Sequence, residues 1–189
     1  MSANLIQIAH EKGHETMVAD NLSLPYRTSS FDFVVSIAVI HHFTSFDRRV
    51  AAVKELIRTL KPGGRVLIFV WALEQEDGSK RRFDKQDVFV PWNLDKKSFG
   101  SKAAGKEKAG VAKGKEEVLE HGLNALSLKK EEGEVKEVVK SGNENIVYQR
   151  YYHVFVKGEL DEVVAGAGGV EIETSGYDRD NWYVIAKKL

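Results

Sequence analysis

Short apolar runs and an amphipathic stretch alternate along the first part of the chain. Residues 33–40 are almost wholly apolar, and residues 65–71 (RVLIFVW) form a second such run. Both runs are rich in β-branched residues and short for a helix, so we predict two strands buried on both faces. Between them, apolar residues recur at helical spacing from about residue 46 to residue 60, with Ser45 as a suitable N-cap. The KPGG sequence at residues 61–64 predicts the end of this helix and a turn.

Further elements are predicted before and after this central part. A helix is expected at residues 2–12, followed by a short strand at residues 15–20 that ends on Asp20. Residues 74–92 are polar and then apolar, which predicts a loop that docks on the domain through its apolar end.

The carboxyl-terminal part predicts a short helix and a pair of strands. The helix lies within residues 157–167, and alternating patterns at residues 170–175 and 181–187 predict a hairpin. Strands alternating with helices are typical of an α/β fold with a mostly parallel, doubly wound sheet, and here an antiparallel pair closes it.

A segment of different composition separates these two parts. Residues 95–145 are rich in Lys, Glu, Gly, Ala and Ser, and they contain one aromatic residue, Phe99. Such a composition buries too little apolar surface to offset the entropy of ordering, so we expect a long, mostly disordered insertion. The predicted organisation is therefore one domain in two parts, residues 1–94 and 146–189, interrupted by this insertion.

Composition and charge narrow the functional classes. The chain of 189 residues has 28 basic and 28 acidic side chains, and this zero net charge does not favour strong electrostatic capture of nucleic acid by the chain alone. A local basic patch or a partner could still supply it. There is no cysteine, and the six histidines are not spaced as ligand sets, so no metal site is expected. No signal-peptide pattern or membrane-spanning run is found, and we expect a soluble protein of the cytoplasm, with the nucleus as a second compartment.

Two adjacent histidines follow the first buried run. His41 and His42 come where the predicted strand ends, and ligands of open α/β sheets bind beyond the carboxyl ends of the strands. The alternative is a buried strand with a polar exit. The pattern alone leaves both interpretations open.

The order of motifs resembles class I S-adenosylmethionine-dependent methyltransferases. These have a strand that ends in an acidic residue, a strand that opens with FD, a helix, a PGG turn and an antiparallel closing pair. The corresponding positions are Asp20-Asn21, Phe31-Asp32, residues 61–64 and the strands between 170 and 187. The resemblance implies a Rossmann-like sheet and S-adenosyl-L-methionine as the cofactor.

A narrower set of motifs resembles the eukaryotic tRNA wobble-uridine carboxymethyl methyltransferases, which include the methyltransferase half of an animal protein fused to an AlkB-type oxygenase. The motifs are SIAVIHHF at 36–43, VWALEQ at 70–75, QDVFVPW at 86–92, RYYHVF at 150–155 and GEL at 158–160. This resemblance implies methylation of the carboxyl group of 5-carboxymethyluridine in the tRNA anticodon loop. It also implies a small zinc-binding activator protein as a partner.

The chain departs from the family pattern in one respect. Members have a glycine-rich loop before the first acidic strand end, whereas no G-x-G pattern follows a predicted strand here. We therefore expect a family domain that lacks its N-terminal third. One alternative is a non-catalytic isoform that binds a partner or tRNA without cofactor. A small-molecule methyltransferase is a weaker alternative, which QDVFVPW and RYYHVF disfavour.

The resemblance implies roles for individual residues, each with a structural alternative. Asp20 is expected to accept a hydrogen bond from the cofactor adenine, with Asn21 beside it, or else to cap a turn. The expected lining of the cofactor pocket, which plain core packing would equally explain, is Ser36, Ile37, Ala38 and Val39.

The catalytic and substrate assignments follow from the same resemblance. His41 and His42 are expected to face the transferred methyl or the uridine, and Arg49 is expected to act with them, because an arginine fork matches a carboxylate. The alternatives are structural histidines, an exposed arginine, and core packing for the aromatic residues. The residues expected to contact the substrate are Arg48, Trp71, Glu74, Gln75, Asp87, Trp92, Tyr152 and His153.

Overall fold

A computed structural model of the chain describes residues 3–94, 139–140 and 146–189. The chain divides into two compact units, one formed by Met1–Val88 with Tyr152–Leu189 and the other by Phe89–Tyr151. The predicted insertion at residues 95–145 lies, apart from Val139 and Lys140, outside the described residues. The division of the chain into residues 1–94, 95–145 and 146–189 stays a prediction.

The first unit contains a four-stranded sheet in the order β1-β2-β7-β6. Its strands are β1 (Phe31–Ile37), β2 (Leu60–Trp71), β6 (Val170–Asp178) and β7 (Asn181–Lys188). β1 and β2 are parallel, whereas β7 is antiparallel to both of its neighbours. A parallel pair with an antiparallel carboxyl-terminal hairpin confirms the predicted Rossmann-like α/β class.

Two helices, α2 (Phe46–Thr59) and α3 (Glu159–Ala167), pack on one face of this sheet. The other described helices are α1 (Ala3–Glu11) and a 3-10 turn at Ile40–His42. The Ser45 side chain accepts from the Arg48 backbone N–H at 3.3 Å, which confirms the predicted N-cap of α2. The buried core combines the apolar faces of α2 and α3 with alternate residues of the strands: Val53, Leu56, Leu160, Val163, Val164, Val66, Ile68, Val70, Val184 and Ala186.

The second unit contains most of a three-stranded sheet in the order β3-β5-β4. Its strands are β3 (Asp87–Leu94), β4 (Val139–Lys140) and β5 (Ile146–His153), and β4 is antiparallel to β5. The predicted docking loop at residues 74–92 is therefore wrong at its apolar end, which forms a strand. The alternation of polar and apolar residues from 86 to 92 fits a ladder once β5 is available as its neighbour.

Two predictions for the first sheet are wrong. Residues 15–20 form no strand, and the backbone pairing found there is one isolated bridge between Asp20 and Ser23. A strand needs a neighbour to share its hydrogen bonds, and β1 pairs within the described chain with β2 alone.

β1 is also not buried on both faces. Phe33, Val35 and Ile37 are 53%, 48% and 61% exposed, whereas Ser36 is 3% exposed. Successive side chains of a strand point to opposite faces, and no described element covers the face that carries these three residues.

The turn at residues 61–64 lies within β2 rather than before it. The ladder between β1 and β2 shifts register there, with Phe31 opposite Leu60 and Phe33 opposite Arg65. Gly63 has φ +77°, and a Cβ on Gly64 would lie 2.9 Å from the Lys61 carbonyl oxygen. Both glycines are therefore required by the bulge. None of the helices in the described ranges is long and apolar enough to cross a membrane.

Candidate functional site

Aromatic side chains meet at the carboxyl end of β2. The Phe155 N–H donates to the Trp71 carbonyl and the Leu73 N–H donates to the Phe155 carbonyl, both at 2.8 Å. The segment that follows β5 therefore runs parallel to the end of β2. This pairing stacks the Tyr152 ring on the Trp71 indole, with centroids 4.3 Å apart and planes within 1°. The His41 and His42 rings contact the same Tyr152 ring at 5.0 Å and 4.5 Å.

His41 is buried within this aromatic cluster. Burial, with a smaller contribution from His42, lowers the pKa of His41 to about 3, so the ring is neutral at pH 7. Its Nδ1 accepts from the Trp71 backbone N–H at 3.4 Å, which assigns the proton to Nε2. That Nε2 is buried and finds no hydrogen-bond partner within the described part of the chain. His41 is therefore a poor proton acceptor, and it lies behind Trp71 rather than among the residues that line the cleft described below.

A cleft of about 320 Å³ opens beside Trp71. The Arg81 guanidinium carbon lies 4.0 Å from the Trp71 ring centroid, and the Phe83 ring is 6.2 Å from Trp71 at an interplanar angle of 22°. The lining combines aromatic rings with three cationic side chains and one carboxylate: Trp71, Phe83, Lys80, Arg81, Arg179 and Asp180, with Gln75, Ser79 and Asn181. An aromatic wall beside cations suits a planar, negatively charged ligand.

A charged network lies at the start of α3. The two ring nitrogens of His153 lie 3.0 Å from Asp87 Oδ1 and 2.6 Å from Glu159 Oε1. Burial alone would lower the pKa of His153, but the hydrogen bonds to Glu159 and Asp87 outweigh it and raise that pKa. Burial likewise opposes ionisation of Glu159, yet the hydrogen bond from His153 holds the pKa of Glu159 below its usual value. The pair is thus stabilised in its charged form.

Arg49 belongs to this network and not to the cleft. Its Nη1 donates to the Phe43 carbonyl at 3.1 Å, and its Nη2 lies 3.5 Å from Glu159 Oε1. The side chain is buried, so a carboxylate ligand would have to compete with Glu159. Arg48 lies beside the Phe43 ring, at 5.8 Å from its centroid. The structure does not place either arginine among the residues that line the cleft.

Three residues predicted to hold the cofactor show unusual features. The Ser36 Oγ and Asn21 Nδ2 atoms are buried without a hydrogen-bond partner among the described residues. Ala38, directly after β1, has φ +57°, a left-handed conformation that a non-glycine residue rarely adopts. Unsatisfied buried polar atoms and local backbone strain are both features of ligand sites.

The other predicted cofactor residues are less distinctive. Asp20 Oδ1 accepts from the Leu22 N–H at 3.0 Å, so Asp20 does cap a turn. Ile37 and Val39 are 61% and 36% exposed, and their side chains form part of an apolar surface.

Two predicted substrate residues join the loops around the cleft. The Glu74 carboxylate accepts from the Trp182 indole N–H at 3.0 Å and from the Lys157 N–H at 3.1 Å. The Gln75 amide donates to the Ala72 carbonyl at 2.7 Å and accepts from the Ser79 hydroxyl at 3.1 Å. Gln75 lines the cleft, whereas Glu74 has a structural role.

Three residues of these sites are not among those that the sequence predicts. They are Arg81, Phe83 and Glu159, although the KRRF sequence at 80–83 places cations beside an aromatic residue within a polar stretch. Glu159 lies in the GEL motif, which carried part of the resemblance. The side chain of Trp92 is not among those described.

Known proteins match the chain over most of its length. A methyltransferase domain family matches residues 1–68. The tRNA (carboxymethyluridine(34)-5-O)-methyltransferase of Schizosaccharomyces pombe is 43% identical over 187 residues, covering 97% of this chain and 68% of that protein. The enzyme of the same name from Saccharomyces cerevisiae is 35% identical, covering 99% of this chain and 74% of that protein.

A longer relative and a solved structure also match the chain. The tRNA (carboxymethyluridine(34)-5-O)-methyltransferase alkbh8 of Xenopus tropicalis is 33% identical across 100% of this chain, which spans 31% of that protein. The solved SAM-dependent methyltransferase from Methanosarcina mazei shares the fold, with a TM-score of 0.55 at 18% identity over 100% of this chain and 79% of that one. The chain therefore belongs to the methyltransferase family of the tRNA (carboxymethyluridine(34)-5-O)-methyltransferases.

Proposed function

We propose that this protein transfers a methyl group from S-adenosyl-L-methionine to the carboxyl group of 5-carboxymethyluridine at the wobble position of tRNA. The names of relatives that match nearly the whole chain support this reaction. The cleft beside Trp71 is the observation that carries the proposal, because its aromatic and cationic lining suits an RNA base that bears a carboxylate.

The chemistry requires alignment more than proton transfer. When bound, S-adenosyl-L-methionine supplies an electrophilic sulfonium methyl, and the carboxylate oxygen bonds to that carbon as the carbon–sulfur bond breaks. The charges of carboxylate and sulfonium cancel in the products, so no proton has to move. A carboxylate is already ionised at neutral pH, and the depressed pKa of His41 agrees with a reaction that needs no general base.

The described residues include buried polar atoms that fit a polar cofactor. Asn21 Nδ2 and Ser36 Oγ are buried polar atoms without a described partner, and a polar ligand would satisfy both. The left-handed backbone at Ala38 directly follows β1. We assign cofactor binding to the segment around Asp20 and Asn21 and to residues 36–39.

The aromatic cluster fixes one wall of the substrate cleft. Tyr152 stacks on one face of Trp71 and the Arg81 guanidinium lies over the other, so the base is proposed to bind against the remaining lining residues, which include Phe83. These residues orient the substrate and exclude water from the reacting atoms.

Two further parts of the proposal concern partners and location. We propose that a small zinc-binding activator protein binds the chain, and the exposed Phe33, Val35 and Ile37 side chains offer it an apolar surface. The proposed compartments are the cytoplasm and the nucleus, since the proposed substrate is a tRNA.

The test measures methyl transfer and cofactor binding separately. The protein, with and without the activator, is incubated with methyl-labelled S-adenosyl-L-methionine and an anticodon stem-loop RNA that carries 5-carboxymethyluridine. We expect labelled RNA whose label is released by mild base, as a methyl ester requires, and no label on the same RNA with an unmodified uridine. Titration calorimetry with S-adenosyl-L-methionine distinguishes the non-catalytic alternative, which predicts RNA binding without cofactor binding. Folded protein that binds neither cofactor nor transfers label would contradict the proposal.

A further inference from the structure

Arg81 lines the cleft with its guanidinium over an aromatic ring. Its guanidinium carbon lies 4.0 Å from the Trp71 ring centroid, and its electrostatic interaction with a carboxylate of the cleft is with Asp180, to which no direct side-chain hydrogen bond from Arg81 is found among the described residues. Stacking uses the face of the guanidinium and leaves its N–H donors, which point outward in the plane, available. An arginine held in this way is ready to bind a planar anion through two parallel hydrogen bonds.

Three other arginines are already paired. Arg49 is tied to Glu159 and the Phe43 carbonyl, and Arg58 donates to both oxygens of Glu55. Arg65 makes a two-pronged pair with Glu173 at 2.7 and 2.9 Å. Arg49, which the resemblance grouped with the catalytic histidines, is therefore a weaker choice than Arg81 for binding a carboxylate.

The remaining charges of the cleft favour an anion. Lys80 and Arg179 line it with Arg81, and the carboxylate of Asp180 lines it from the β6–β7 turn. Asp180 Oδ1 is already bonded to the Glu76 N–H at 2.7 Å and to the Tyr177 hydroxyl at 3.3 Å. These bonds anchor the turn to the loop after β2. Asp180 thereby forms a wall of the cleft, and the cations outnumber it.

We infer that Arg81, oriented by its stack on Trp71, binds the carboxylate of the modified wobble uridine and selects this base over its uncharged analogues. The inference rests on the proposed function and specifies which residue reads the substrate. A neutral amide in place of the carboxylate would keep the shape of the base but lose the charge-assisted pair, so Arg81 determines specificity for the acid.

The test compares two RNAs that differ in one group. Anticodon stem-loops carrying 5-carboxymethyluridine or its amide, 5-carbamoylmethyluridine, are titrated into the full chain, and fluorescence anisotropy gives both Kd values at one fixed salt concentration. We expect the native protein to bind the acid about tenfold more tightly than the amide. Arg81→Gln should reduce this ratio to about one, whereas Arg81→Lys should keep part of it.

Arg82→Gln is the matched control, because Arg82 is the adjacent exposed arginine and does not line the cleft. This variant should keep the tenfold ratio of Kd values even if it binds both RNAs slightly less tightly. Far-UV circular dichroism confirms that each variant is folded, and Arg81 is itself exposed, so its replacement should not unfold the chain.

The outcomes separate this inference from the function on which it rests. The native protein could methylate the acid-bearing RNA while Arg81→Gln still binds that RNA more tightly than the amide-bearing RNA. The variant could also weaken the binding of both RNAs equally, as loss of a phosphate contact would. Either result overturns only the role of Arg81. If the native protein neither binds nor methylates that RNA, the proposed function fails, and the role of Arg81 fails with it.

Discussion

The indole of Trp71 and the phenol ring of Tyr152 lie in parallel planes, 4.3 Å apart between centroids, although the two residues come from opposite sides of the low-complexity segment. Tyr152 is 8% exposed, so the stack is part of the core as well as one side of the cleft. The contact joins the end of β2 to the end of β5.

Tyr152→Ala is expected to lower the free energy of unfolding by about 3 kcal/mol, since it removes a buried aromatic ring and leaves a cavity. Tyr152→Phe keeps the stack and should cost less than about 1 kcal/mol. Urea unfolding followed by far-UV circular dichroism measures both. The alanine variant should also lose more kcat/KM for RNA than the phenylalanine variant, because the plane of Trp71 is no longer held. Equal effects of the two variants would show that the ring stack is unimportant.

Lowering the pH should destabilise the protein through His41. The pKa of His41 is about 3 in the folded chain because of burial and the nearby His42, whereas the ordinary value is 6.5. Below pH 6.5 the unfolded chain binds a proton that the folded chain does not, so stability falls as the pH decreases. Between pH 7 and pH 5 the loss should be about 2 kcal/mol.

His41→Gln provides the control for this pH dependence, because glutamine does not titrate. Urea unfolding of the native and variant proteins at both pH values gives the contribution of His41 as a difference. A native protein that loses no more stability than the variant would contradict the buried, neutral state of His41.

Glu159→Gln should destabilise the protein by about 3 kcal/mol, because it leaves the buried Arg49 and His153 without their shared carboxylate. Glu162, exposed in the same first turn of α3, is the matched control. Glu162→Gln makes the same change of charge near the helix N-terminus and should cost less than about 0.5 kcal/mol. Thermal melts at pH 6 measure the difference, and similar losses for both variants would mean that the network adds no stability.

The same network should define a pH window of stability. The lowered pKa of Glu159 stabilises the fold above about pH 4.5, and this contribution is lost as the pH falls through the folded value. The raised pKa of His153 stabilises the fold fully below about pH 6.5, and this contribution is lost as the pH rises through the folded value. The difference in stability between the native protein and Glu159→Gln should therefore be largest between about pH 4.5 and pH 6.5. Thermal melts from pH 4 to pH 9 measure it. A constant difference across this range would refute the coupling.

Gly64→Ala should cost about 2 kcal/mol, because its Cβ would lie 2.9 Å from the Lys61 carbonyl oxygen and 3.0 Å from that of Asp32. Both are backbone atoms, which cannot move aside without disturbing the β1–β2 ladder. Gly63→Ala, where a Cβ has open space but φ is +77°, should cost about 1 kcal/mol. Urea unfolding measures both, and the opposite order would argue against the close approach at Gly64.

Local patterns were enough to predict most elements. The helical spacing at residues 46–60, the cap at Ser45 and the alternation in β7 each depend on residues a few positions apart. The positive φ values at Arg179 and Asp180 belong to a hairpin turn that the two flanking patterns also predicted. The family could be identified because its motifs lie within short segments, and the relatives confirm it.

The tertiary structure decided which strands pair, which faces are buried and which distant side chains meet. Residues 15–20 have the composition of a strand but no described neighbouring strand with which to share a ladder. One face of β1 stays exposed because no described element packs against it. Of the arginines near the predicted site, Arg49 is buried against Glu159, whereas Arg81 lies over Trp71. Sequence alone determined the helices and the strands whose patterns depend on near neighbours, such as α2, α3 and β7. The order of strands in the sheet determined which distant side chains meet, and it therefore determined which cation faces the cleft.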